Sequence, residues 1–446
     1  MADVEVREES KTISRVDGDL KIMEGKVSTD SPDNVLQVTG SVRCRGDCSL
    51  ECIVSALDFE ANRGDIIVGG LSIKRLVKVK KGELEVENDL RSDRVEVDRR
   101  LLVHGSLECT SSSVGGSLTV EGSSRAENVD VGGSLNLGSD SDIARISVGG
   151  TVRFKESLKS DRISVGGTVE GSGPLNAKRV DVGGRVTVED EVELGEIDVG
   201  GTVRIGGGKI EDLDVGGTFK STDHLSFGEI DVGGKAVLSG GDGGGIEVGG
   251  VLRSNGDLGF SDLEVGGKVN IIGDSRGQEL QVGGMLDVSG DLELSRNLRV
   301  GGKAEIGGVA RASSIRLGGV LRARRVEASE DVEANKLITR EGARADTIEI
   351  SKNGESRGPL IARRVWVEDK ASVEDVYADE VEMKKRCRAN NIYAKRIEID
   401  SRSRVNGEVK FTEALNADDD VSFARDPERV QELPSPPSAE EGCQTQ

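Results

Sequence analysis

Large rings are almost missing from this sequence, whose 446 residues hold seven Phe, two Tyr and one Trp. A globular core built round aromatic side chains is thereby excluded, and the interior must be assembled from small aliphatic groups many times over. Histidine is confined to His104 and His224, each read as a surface residue rather than a general base. A basic excess is also lacking. Sixty Lys and Arg stand against 81 Asp and Glu, a formal net charge of −21, so attraction to phosphate backbones is disfavoured and no nucleic-acid partner is expected. No stretch approaches the roughly 18 apolar residues of a spanning helix. The first residues, MADVEVREES, carry neither a basic n-region nor an apolar h-region. A soluble, cytoplasmic chain is expected, and six Cys make no disulfide framework.

What is present is glycine, 61 residues of it, and its placement is periodic. Val-Gly-Gly recurs with its Val at 68, 114, 131, 148, 165, 182, 199, 215, 232, 248, 265, 282 and 300, and Leu317-Gly-Gly follows. From Val114 to Leu317 every interval is 16, 17 or 18 residues. Self-similarity at so short a period marks a solenoid. Within one unit, Ile146-Ser-Val148-Gly-Gly-Thr-Val152-Arg-Phe154 alternates apolar and polar residues, breaks at the glycines, and alternates again. Period-two alternation in short runs means strands. The fold class expected is therefore all-β: a single long parallel β-helix of roughly 22 coils, and at ~4.8 Å per coil a rod on the order of 100 Å long. At the glycine pair a corner is expected that needs either positive φ or the absence of a β-carbon.

After Leu317 the pair disappears but the phase holds. Ala345-Asp-Thr-Ile348-Glu-Ile350, Ala362-Arg-Arg-Val365-Trp-Val367, Ala378-Asp-Glu-Val381-Glu-Met383 and Ala394-Lys-Arg-Ile397-Glu-Ile399 keep the register with a different corner. Three segments are expected: 1–34 as a tail and irregular capping coil, 35–412 as the β-helix (glycine-pair coils over 35–320, Ala-x-x-Val coils over 321–412), and 413–446 as a disordered acidic tail containing proline.

In both the Ala-x-x-Val-x-Val register and the glycine-rich coils before it, residues 35–412 resemble the bactofilin family of polymer-forming cytoskeletal proteins. This chain would be an expanded relative. The resemblance implies right-handed coils, end-to-end filament assembly without nucleotide, and a scaffolding role at or near the cell envelope. The partners it implies are further copies of the chain and envelope-associated proteins. Met1–Ser10 lacks the apolar segment by which some members attach to membrane, so direct membrane binding is not expected. Self-assembly also follows from physics, because terminal coils expose unpaired backbone groups that template further pairing. Phe411 and Phe423, close to the C-terminal coil, are candidates either for an end contact or for a cap within the monomer.

Stacked coils turn sequence positions into columns. One and three residues before the anchor Val stand Glu196 and Asp198, Asp212 and Asp214, Glu229 and Asp231, Glu247, Asp262 and Glu264, and Glu279. The same columns hold Arg145, Arg162 and Arg179 on the N-terminal side, and Arg299 and Arg316 on the C-terminal side. Like charges about 5 Å apart repel. Three readings compete: a solvated face partly neutralised by Lys235, Arg253 and Lys268, lateral pairing of staggered rods, and weak divalent-cation binding through Asp198, Asp214 and Asp231.

Cys44, Cys48 and Cys52, at i, i+4 and i+8, are weak soft-metal candidates without a fourth ligand. Trp366, between Val365 and Val367, should point outward as a contact residue. No catalytic residue and no cofactor are expected, and the function read from the chain is a non-enzymatic, self-assembling scaffold. The alternatives are a surface or adhesin-like rod and a carbohydrate-active β-helix enzyme, which would need inserted loops walling a groove and aromatic platforms. If the acidic band is a lateral interface, replacing Asp198, Asp214 and Asp231 by Asn changes bundling or its salt response. Light scattering from about 50 to 500 mM salt reads this, and unchanged bundling removes the interface.

Overall fold

The computed structural model describes residues 3–437. The chain is all-β, without helix among the described residues, and winds as a parallel β-solenoid of about 25 turns, close to the expected number. It divides between Asp223 and His224 into two compact units.

In the first unit the coils from Leu90 to Ser221 repeat the arrangement of Leu158–Val165 followed by Thr168–Gly171. In the longer strand Leu158 and Ser160, then Ile163 and Val165, are buried, two inward pairs separated by an outward corner at Asp161 and Arg162, and Val169 and Gly171 of the shorter strand supply a third pair. Three short faces therefore surround an interior filled by one inward pair each. Corresponding residues stack in register: Leu118, Leu135, Val152, Val169, Val186 and Val203 form one column, each 1% exposed or less. The second unit does the same, with Ala236, Leu252, Val269, Leu286 and Ala304 in register. Each fully buried Val or Leu contributes about 1.5–3 kcal/mol, so the aliphatic columns substitute for the missing aromatic core.

The glycine pairs are explained by close approach. A β-carbon on Gly166 would lie 2.5 Å from the carbonyl oxygen of Gly149, and one on Gly149 would lie 2.4 Å from that of Gly132. Neither glycine has a positive φ. Of the two reasons expected for the pair, the absence of a side chain is the one that operates, because these corners stack backbone directly on backbone, with Gly166 N donating to Val148 O at 3.0 Å.

Where the pair is missing, the corner is built differently. Asn353, Lys370, Arg386 and Arg402 have φ of 59°, 62°, 63° and 61°, one left-handed residue per coil. The N–H of Asn353, Lys370 and Arg386 donates to the carbonyl of Asp369, Lys385 and Ser401 in the following coil, at 2.9–3.1 Å. A non-glycine residue held there costs about 1–2 kcal/mol, which this ladder of bonds offsets. The N-terminal coils use the same device at Glu8, Glu24, Arg63 and Lys81.

Strand pairing extends past the expected 35–412 span at both ends. Val4–Arg7 pairs with Leu20–Met23, and Ser10–Thr12 with Lys26–Ser28, because Val6, Val16, Leu20, Ile22 and Val27 supply fully or nearly fully buried inward positions. At the other end Ser422–Phe423 pairs with Arg404–Val405, and Glu428–Arg429 with Lys410–Phe411. The stretch 413–429, expected within the tail, thus carries paired strands, and residues 438–446 of that expected tail lie outside the described residues.

The few rings that are inside have made room for themselves. Phe59, Phe154, Phe219, Phe227 and Phe260 are buried, and three of them face glycine in the next coil. Phe154 stacks on Gly171 and Phe227 on Gly243, while a β-carbon on Gly277 would meet Phe260 at 2.3 Å. On Gly171 the added β-carbon would sit 2.0 Å from Phe154 Cζ. Gly171→Val is therefore expected to destabilise the chain by about 1–3 kcal/mol through overpacking. The double variant Phe154→Val/Gly171→Val should recover part of the loss, a non-additivity readable in denaturant unfolding curves.

Candidate functional site

The surface features with chemical potential are the charge columns, the thiols of the N-terminal coils, the aromatic residues of the C-terminal coils and the two terminal sets of strands. Coil stacking positions all of them, since an outward residue is fixed above its counterpart by the backbone ladder.

In the first unit Arg145, Arg162 and Arg179 lie in register, Arg179 continues onto Glu196, and Glu196 and Asp198 stack on Asp212 and Asp214. The junction of opposite charges is closed by direct contact. Arg179 Nη1 lies 3.0 Å from Glu196 Oε2, and Arg162 Nη2 lies 2.8 Å from Asp181 Oδ2. In the second unit Asp231, Glu247, Glu264, Gln281, Arg299 and Arg316 form one column, with Asp262 above Glu279 in the next. Glu229 faces Gly245, which interrupts its column. Arg299 Nη1 reaches Glu279 Oε1 at 2.6 Å, and Arg296 Nη2 bridges Asp262 and Glu279 at 3.1 and 3.3 Å. These pairs are solvent-exposed, so each is worth about 0–1 kcal/mol. Their effect is to set the ends of the acidic stretch in each unit. Asp198 and Asp214 are neighbours in the first unit and Asp231 lies in the second. Among the described residues no group of three or more His, Cys, Asp or Glu is arranged to hold a metal ion, and this includes Cys44, Cys48 and Cys52.

His104 is bound more closely than a simple surface residue. Its Nδ1 lies 2.9 Å from Glu121 Oε2 and its Nε2 3.0 Å from Glu85 Oε1, so one imidazole bridges carboxylates of the coils before and after its own. Those hydrogen bonds, to Glu85 first and Glu121 second, raise the His104 pKa above its ordinary 6.5. The spacing of 19 and 17 residues between Glu85, His104 and Glu121 was the available signal, visible only once coils are stacked. His224 approaches Asp242 at 3.6 Å.

Trp366 points outward as expected, 39% exposed, with Glu349 and Glu382 stacked on either side. The sequence reading missed Tyr377 and Tyr393, which occupy one outward column in adjacent coils with ring centroids 5.0 Å apart. Partial burial is the main cause that pushes the Tyr393 phenol up to about 12. Thus the Trp and both Tyr of the chain sit on outer faces of three successive coils, whereas the Phe residues before them are interior. A surface groove of about 720 Å³ in the first unit runs past Glu121, Arg153, Phe154, Glu170 and Arg185. The Arg153–Glu170 ion pair, 2.8 Å long, lies on its lining.

At the N-terminal edge, Val4–Arg7, Ser10–Thr12 and Arg15–Val16 are each paired on one side among the described residues. At the C-terminal edge the same holds for Ser422–Phe423 and Glu428–Arg429. Phe411 stacks on Ala394 and Phe423 on Val405, both continuing inward columns, and each ring is half-buried. They cover the aliphatic interior of the last coils and leave part of each ring open.

No family model matches this chain, and comparison with curated proteins and with solved structures finds no match. No helix of the described residues is long and apolar enough to cross a membrane.

The His104 clamp gives a pH dependence of definite sign. A pKa raised on folding means that the contribution is complete below the unfolded value near 6.5 and is lost as pH rises through the folded value. Thermal melts of the parent chain should therefore fall in midpoint as pH rises above about 6.5, and His104→Gln should flatten that part of the profile.

Proposed function

We propose that the protein is a non-enzymatic structural element that polymerises end to end without nucleotide, acting as a cytoplasmic cytoskeletal scaffold in the manner of bactofilins. The observation that carries this reading is the pair of terminal strand sets, each paired on one side only among the described residues. Unpaired edges of a regular sheet add further strands unless they are blunted, and the N-terminal edge strand, Val4–Arg7, contains no proline. The carboxylate and arginine columns support a second level of association, in which acidic stretches of one copy face basic stretches of another. The partner is a further copy of the same chain, and envelope-associated proteins follow from the bactofilin resemblance.

In this reading the joint would be made by backbone groups of the first strand. Val4 N and Glu8 N donate to Asp19 O and Met23 O at 2.9 Å, into the following coil. Strand alternation turns the N–H groups of Glu5 and Arg7 the other way, toward the open side. Proline at those two positions would remove the outward donors while sparing the inward ones. Negative-stain microscopy of the purified chain without nucleotide is expected to show filaments. Glu5→Pro/Arg7→Pro is expected to shorten or abolish them with the strand-rich circular dichroism spectrum retained. Dispersed monomers of the parent chain at all salt, protein and divalent-ion concentrations would overturn the reading.

A further inference from the structure

The N-terminal coils contain a chemical arrangement that a scaffold role leaves unused. Cys44 ends the inward side of one face and Cys48 begins the next, and the corner Arg45-Gly46-Asp47 joins them with Gly46 at φ 76°. Both side chains point inward at this vertex, 4% and 3% exposed. Cys44 stacks on Ile22 of the preceding coil, and Cys48 Sγ lies 4.0 Å from the carbonyl oxygens of both Ile22 and Arg45. Both residues thus adjoin Ile22. In the adjoining coils the Cys44 position is occupied by Ile22 before and Ala61 after, and the Cys48 position by Ile66 after, so the dithiol is peculiar to one coil.

A surface groove of about 450 Å³ opens onto this vertex, and Cys48 forms part of its lining with Glu8, Glu24, Lys26, Asp47 and Asp65. Its mostly acidic rim admits small neutral molecules more readily than anions.

We propose that Cys44 and Cys48 are a dithiol oxidation site whose co-substrate is a neutral peroxide and whose product is an intramolecular disulfide across the corner. Cys48 supplies the nucleophile. Its thiolate attacks one peroxide oxygen, an S–O bond forms, the O–O bond breaks, and the departing hydroxide takes up a proton to leave as water. Cys44 sulfur then attacks the sulfenic sulfur of Cys48. The S–S bond forms, the S–O bond breaks, and the hydroxyl leaves as a second water with the proton from Cys44. Two thiols lose two electrons in all, and one peroxide is reduced to two waters.

The electrostatics assign the two roles. The hydrogen bond from Cys44, joined by backbone bonds at Gly25, Arg45 and Glu24, lowers the Cys48 pKa to about 7, while the same contact and burial raise Cys44. Burial pushes Cys52, Cys109 and Cys387 up to about 11, 12 and 11, which keeps them as inert thiols. A formed disulfide would tie two faces of an early coil and stiffen the N-terminal edge.

The test uses the full chain carrying Cys443→Ser, treated with hydrogen peroxide at pH 7 and read by peptide mass mapping. A Cys44–Cys48 linked peptide is expected, forming at least about tenfold faster than any oxidation of Cys52 or Cys109. Cys44→Ser should accumulate Cys48 sulfenic acid, trapped by a 1,3-diketone, and Cys48→Ser should give neither product. Circular dichroism checks that each variant keeps its strands. With the fold retained, absence of the linked peptide, or reaction at Cys48 no faster than at Cys52, would overturn the proposal. Because the readout needs no filaments, it stands or falls separately from the assembly reading.

Discussion

Every property of this chain depends on hydrogen-bonding one lap of backbone to the next in register. Parallel strands lie ~4.8 Å apart, and that spacing is imposed on whatever side chains occupy the same position in successive laps. Aliphatic groups accept it readily, so columns such as Leu118 to Val203 form a continuous interior. The corner after the anchor Val accepts it where nothing projects from the backbone, which is why Gly149 sits on Gly132 and Gly166 on Gly149. Where glycine is not used, a residue such as Lys370 or Arg386 takes a left-handed conformation and the bonds of the ladder offset its cost.

The same spacing governs the charges. A column of one sign would store repulsion in every step, and the chain carries a net charge of −21. The arginines at the margins of the acidic stretches shorten those runs, as Arg179 does against Glu196 and Arg299 against Glu279. Elsewhere carboxylates are spent on backbone: Asp257, Asp274 and Asp291 each accept an N–H of the following coil at 2.7–2.8 Å. Acidic residues at corners are therefore part of the stacking itself, and the high acidic content is compatible with order.

Much of this was legible before any coordinates. Alternation around Val148 and Val165 specifies which side chains face inward, and a fixed period specifies which residues stack, so the fold class and the outward position of Trp366 follow directly. Features that depend on the path of a corner were not legible. The period does not say that Lys370 is left-handed, or that Arg45-Gly46-Asp47 brings Cys44 and Cys48 to one vertex. Nor does it disclose the clamp on His104, because Glu85 is in register with Leu102 and reaches the imidazole only diagonally, two residues out of phase. The extent of the solenoid was also underread at both ends, since the strands of residues 4–28 and 409–429 are short and their inward positions are interleaved with charge.

The rings that lie over glycine bear on how such a chain can change length. Repeats that were interchangeable could be gained or lost singly by slippage of the coding sequence. Here the lap holding Phe154 needs the lap holding Gly171 directly after it, and the same dependence ties Phe227 to Gly243 and Phe260 to Gly277. Deleting one member of such a couple leaves either a hole or a collision, so viable rearrangements must carry both together, and the heritable module at these places is a doublet.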